Sequence, residues 1–140
     1  MRYKYKQFPL PNGKFDWVAV LLIQVSRGSK ITTQFEALID SGATNCLFHS
    51  DVAAAIGIKD FKSGIVSQTG GVVSGSTMDL YAHDIRLHIG ADNFKITGYF
   101  SDQLPLPCLL GRSGFFENYI VTFDPTETNP GFELTRVLRA

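Results

Sequence analysis

Closely spaced turn signals constrain this chain more than any other feature, because they cut its apolar sequence into runs too short for packed helices and long enough for strands. Pro9-Leu10-Pro11-Asn12-Gly13, Arg27-Gly28-Ser29-Lys30 and Gly90-Ala91-Asp92-Asn93 each supply residues suited to chain reversal. Between them, residues 17–25 read as a largely buried strand and residues 31–39 as its hairpin partner. Ile85, Leu87 and Ile89 alternate with Asp84, Arg86 and His88, the period of a half-buried strand, and residues 94–100 return after the turn. Strands are also expected at 64–68, 78–81, 119–123 and 132–137. One short helix is expected at 52–56, capped by Ser50-Asp51 and closed by Gly57, with a second helical turn at 114–119.

Composition agrees with a mostly β protein. Eleven Phe and thirteen Gly accompany little Ala-rich helical sequence, and 44% hydrophobic with 19% charged residues describes an ordinary globular chain. At 140 residues it is expected to form one domain over 17–140, preceded by an N-terminal arm or strand over 1–16. A formal net charge of zero offers no broad field for nucleic acid or an anionic membrane. The Arg2-Tyr3-Lys4-Tyr5-Lys6 start reads as a solvated terminal strand. The apolar run 17–23 is too short to span a bilayer, so no membrane partner and a cytoplasmic location are expected. Cys46 and Cys108 are too few for a disulfide framework or a zinc site, and read as buried free thiols.

Leu38-Ile39-Asp40-Ser41-Gly42-Ala43-Thr44 places one carboxylate in a tight turn at the end of an apolar strand. Gly42 can take backbone torsions that bulkier residues resist, and Ser41 offers a bracing hydroxyl. Downstream, Cys108-Leu109-Leu110-Gly111-Arg112 supplies a second apolar strand ending in Gly-Arg. In this order, with a short helix and a Gly-rich hairpin between them, the two segments resemble the retropepsin-like, retroviral-type aspartic protease family, in the manner of its cellular or bacterial members. The resemblance implies a closed β-barrel with one or two short helices, and an endopeptidase that needs no cofactor.

It also implies roles for particular residues. Asp40 would be catalytic, supported by Ser41, Gly42 and Ala43 in its turn and by Leu109, Leu110 and Gly111 packed beneath. Gly42, Thr44 and Asn45 would line the substrate wall, and Gly70, Gly71, Val72 and Val73 would cover a bound peptide as a flap. The family's chemistry uses two facing carboxylates, and no other aspartate here is followed by Ser/Thr-Gly. A homodimer is therefore expected, with Asp40 from each chain meeting on a two-fold axis and a peptide or protein as substrate. Thr44 departs from the acidic residue common in retroviral members, which leaves Arg112 without its usual partner.

Other chemistries fit poorly. Ser41 lacks a Gly-x-Ser-x-Gly elbow, the Gly70 to Gly75 run lacks the Gly-Lys-Ser/Thr ending of a phosphate loop, and His83 and His88 should point to opposite faces of one strand rather than share a metal. The competing expectation is a non-catalytic peptide-binding or dimerisation module that keeps the fold.

Overall fold

The computed structural model describes residues 1–70, 77–126 and 128–138. Its strands are β1 (Arg2–Tyr3), β2 (Lys6–Pro9), β3 (Phe15–Val18), β4 (Val20–Arg27), β5 (Lys30–Ile31), β6 (Phe35–Ile39), β7 (Cys46–His49), β8 (Ile65–Gly70), β9 (Thr77–Ile89), β10 (Asp92–Ser101), β11 (Cys108–Leu110), β12 (Tyr119–Asp124) and β13 (Gly131–Arg136). Helix α1 (Ser50–Ala55) follows β7.

Strands β4, β6, β11, β7, β10 and β9 pair in that order, and β9 pairs back onto β4, closing a six-stranded barrel. Two of these contacts, β6–β11 and β7–β10, are parallel and the others antiparallel. Strand alternation explains the closure. Leu21, Ile23 and Val25 of β4, Ala37 and Ile39 of β6, and Ile85, Leu87 and Ile89 of β9 all turn inward and are buried. Phe48 and Phe100 stack across the interior with ring centres 5.5 Å apart. Each such side chain contributes roughly 1.5–3 kcal/mol by leaving water. A second apolar cluster, Leu47, Leu80, Leu104 and Leu109, packs separately from this core and gathers Leu38 and Leu106 at its margin.

Outside the barrel, β1, β13 and β12 form a three-stranded sheet and β2 pairs with β3 in a separate hairpin. Residues 1–16 thus carry β1, β2 and the start of β3, and β1 is bonded to the last strand of the chain.

Several local expectations change. The long strand expected over 17–25 breaks at Ala19, whose carbonyl accepts from the Ile39 N–H, and Trp17 lies 48% exposed on the hairpin instead of in the core. The partner expected over 31–39 is interrupted where Thr32 turns inward and its Oγ1 accepts from the Val25 N–H. Helix α1 is capped by His49, whose Nδ1 accepts from the Asp51 N–H at 3.0 Å, and not by the Ser50-Asp51 pair. No helix forms over 114–119. Gly114 sits at φ 102°, outside the helical region, and the Phe116 and Glu117 N–H groups reach back to the carbonyls of Gly111 and Arg112 in consecutive turns.

Candidate active site

Asp40 leaves the end of β6 where the strand is pinned to β11. Leu109 and Leu110 pair with Leu38 and Ile39, and the Asp40 N–H continues the ladder by donating to the Leu110 carbonyl at 3.0 Å. The turn then closes on itself. Ala43 N–H donates to the Asp40 carbonyl at 3.1 Å, and Gly42 N–H donates to Asp40 Oδ1 at 2.9 Å. A carboxylate oxygen held by a backbone N–H inside its own turn has a fixed direction. Asp40 is half-buried as a residue, with Ser41 and Gly42 exposed beside it.

The far side of the turn is clamped by the residues after β11. Arg112 and Ser113 donate their N–H groups to the carbonyls of Ala43 and Thr44 at 2.9 and 2.8 Å, and Asn45 forms a parallel bridge with Ser113. This close passage is why Gly111 is a glycine: a Cβ there would lie 2.2 Å from the Asn45 carbonyl oxygen and 2.8 Å from that of Ala43. Leu110 is fully buried in the barrel beneath the turn, whereas Leu109 points to the opposite face and joins the second cluster.

Arg112 is the residue that the sequence undervalued. Its guanidinium donates to the Ser41 carbonyl at 3.1 Å and reaches Thr44 Oγ1 at 3.4 Å. A carbonyl and a hydroxyl from the Asp40 turn thereby stand where an acidic partner was missed. The parallel β6–β11 pairing, with the Asn45–Ser113 bridge, brings these sequence-distant residues together, so the contact with Thr44 is made without an acidic side chain.

Thr44 is exposed and Ala43 and Asn45 are half-buried, so the stretch after Asp40 forms one continuous rim. Gly70 ends β8 opposite Thr77 of β9, but Gly71, Val72 and Val73 lie outside the described residues. The remaining reactive side chains have structural partners. His83 Nε2 is 2.6 Å from the Phe61 carbonyl and His88 Nε2 is 2.7 Å from Ser26 Oγ. Burial, with Arg86 nearby, lowers the His88 pKa. Cys46 and Cys108 are free and buried. Burial pushes the Cys46 thiol up to about 12, and burial next to Cys46 raises Cys108 as well. Among the described residues, no group of three or more His, Cys, Asp or Glu is placed to hold a metal ion.

No family model and no curated protein matches the sequence. Among solved structures, the chain is similar to EIAV protease complexed with the inhibitor HBY-793, with a TM-score of 0.50 and 16% identity over 68% of this chain and 82% of that one. What the two share is the fold. The expected closed β-barrel of retroviral-protease type is therefore observed, and within it Asp40, Ser41, Gly42, Ala43, Leu110 and Gly111 come together at one turn. No described helix is long and apolar enough to cross a membrane.

Proposed function

We propose that this chain is an aspartic endopeptidase whose active site is completed by a second copy, each contributing Asp40. The observation that carries this is the aimed carboxylate: Asp40 is half-exposed at the end of a barrel strand, with one oxygen fixed by Gly42 N–H and its turn clamped by Leu110 and Arg112. In a facing pair, two carboxylates so close cannot both ionise easily and would hold one proton between them. The ionised partner takes a proton from water as the oxygen adds to the peptide carbonyl carbon, while the protonated partner donates to the carbonyl oxygen. Collapse of the tetrahedral adduct breaks the C–N bond, and the amine leaves with a proton returned from the pair. Ser41 would brace the two turns across the axis, and the rim from Gly42 to Asn45 would bind an extended peptide by its backbone.

Gly70, Gly71, Val72 and Val73 would close over that peptide and exclude water. Two buried free thiols favour a reducing compartment, in keeping with a cytoplasmic enzyme. A non-catalytic peptide-binding or dimerisation module is supported by the fact that a single chain holds only one such carboxylate. Cleavage of a peptide library by the parent and by Asp40→Asn separates the two. Loss of cleavage of at least about 100-fold, with retained fold, is expected for an Asp general base. Equal cleavage by both proteins, or none by the parent under acidic and neutral conditions, would remove the protease assignment.

A further inference from the structure

Away from the Asp40 site, cations gather on the outer face of the barrel where β4, β9 and β10 run side by side. Ile85 and Leu87 are buried in the barrel, so Asp84, Arg86 and His88 alternate outward along β9. Arg86 lies in register with Ser26 of β4 on one side and with Lys95 of β10 on the other. Paired strands are about 4.8 Å apart, and like charges directly opposite each other cost stability. The core does not require that cost, since Arg86 and Lys95 are both exposed.

The same residues line a cavity of about 230 Å³, to which Ser26, Arg27, Asp84, Arg86 and Lys95 all contribute. Three cations and one carboxylate therefore face one space. Asp84 is 3.7 Å from Lys95 and accepts from Thr97 Oγ1 at 3.4 Å. Arg86 donates to the neutral Asn93 Oδ1 at 3.0 Å, and among the described residues neither Arg86 nor Arg27 has a carboxylate partner. Two positive charges are left uncompensated. Each guanidinium offers five N–H donors in a planar fork that fits phosphate oxygens two at a time. Ser26 Oγ lies 2.7 Å from His88 Nε2. When that nitrogen carries the ring proton and donates to Oγ, the Ser26 hydroxyl hydrogen is free to point outward. The lowered pKa of His88, to which Arg86 contributes after burial, reports the same positive field.

We propose that Ser26, Arg27, Arg86 and Lys95 form an anion site that takes a small phosphate dianion, free or as a monoester. The cavity is smaller than the range of about 300–1,000 Å³ usual for drug-sized ligands, which limits the occupant to a phosphate with little attached. A phosphate group carries about −1.5 to −2 at neutral pH, a closer match to the two uncompensated charges than a carboxylate. Bound between them, it relieves the repulsion of Arg86 and Lys95. None of the lining residues belongs to the Asp40 turn or to the segment that clamps it, so the site stands whether or not the chain is a protease.

The test is a titration of the isotope-labelled protein, followed by amide chemical shifts, with inorganic phosphate, glycerol phosphate and acetate at one pH and ionic strength. Saturable shifts centred on residues 26–28, 84–86 and 95 are expected with phosphate, and acetate should bind at least about tenfold more weakly. Glycerol phosphate binding as well as inorganic phosphate identifies a monoester as the ligand; binding of inorganic phosphate alone identifies the free ion. Arg27→Gln and Arg86→Gln should each weaken phosphate binding by about tenfold or more, the loss of a charge-assisted hydrogen bond. Lys14→Gln makes the same change of net charge in the turn between β2 and β3 and should leave the affinity unchanged. Without phosphate, Arg86→Gln should unfold no more easily than the parent, because it removes a like charge opposite Lys95, so its loss of binding is not a loss of fold. Non-saturating shifts spread over the whole surface, acetate binding as tightly as phosphate, or equal affinity in the parent and both arginine variants would overturn the site.

Discussion

Ala37 and Ile39 turn from β6 into the barrel and are 0% and 7% exposed, whereas Glu36, Leu38 and Asp40 alternate outward along the same few residues. The inward side is bound by packing on every flank and tolerates no change of volume. The outward side is open and polar at its ends, with an apolar step between. One strand therefore fixes the position of a carboxylate through residues that never meet solvent and presents it through residues that do. Rigidity and reactivity are separated by the two-residue period of the strand.

The largest effects on stability should come from the buried support. Gly111→Ala would drive a Cβ to 2.2 Å from the Asn45 carbonyl, a backbone atom that cannot rotate away, and should cost more than about 3 kcal/mol in denaturant unfolding. Leu110→Ala, which empties a fully buried site beneath the turn, should cost about 2–5 kcal/mol. If either variant unfolds like the parent, the inward side is not what holds the turn.

The buried thiol gives a pH-dependent check on the same core. Below about pH 9, Cys46 is neutral whether the chain is folded or not. From the ordinary value of 9.0 up to about 12 the unfolded chain releases a proton that the folded chain retains, so stability should fall as pH rises through that window. Thermal unfolding across it should show a shallower decline for Cys46→Ala than for the parent. An identical slope would place the thiol outside the buried core.

Smaller effects are expected on the outward side. Thr44→Val removes the hydroxyl that Arg112 reaches but leaves the Ser41 carbonyl contact, so a loss of about 0.5–1.5 kcal/mol is the upper range. Asp40→Asn keeps an oxygen able to accept from Gly42 N–H and should unfold within about 0.5 kcal/mol of the parent. A strongly destabilised Asp40→Asn would mean that the carboxylate serves the fold and not a reaction.

The inward side was legible in the sequence, because period-two alternation in residues such as Ile85, Leu87 and Ile89 reports directly on burial, and Leu38 to Gly42 announce a strand ending in a turn. The outward side was less so. Trp17 looked like core because an apolar run carries no mark of which sheet it joins, and the break at Ala19 that sends it to a hairpin is set by a tertiary bond to Ile39. Arg112's contacts with Ser41 and Thr44 depend on a parallel strand pair distant in sequence. Nothing local to 114–119 announces that Gly114 takes a φ of 102°, which carries the chain out of a helical turn close against Cys46 and Ile96.

The most direct test of a two-chain active site is to mix parent chains with increasing proportions of Asp40→Asn chains at constant total concentration, allow subunit exchange, and measure peptide cleavage. If each site needs an Asp40 from both copies, mixed dimers are inactive and activity falls as the square of the parent fraction. Activity that falls only in proportion to the parent fraction would show that one chain suffices and contradict the paired-carboxylate mechanism.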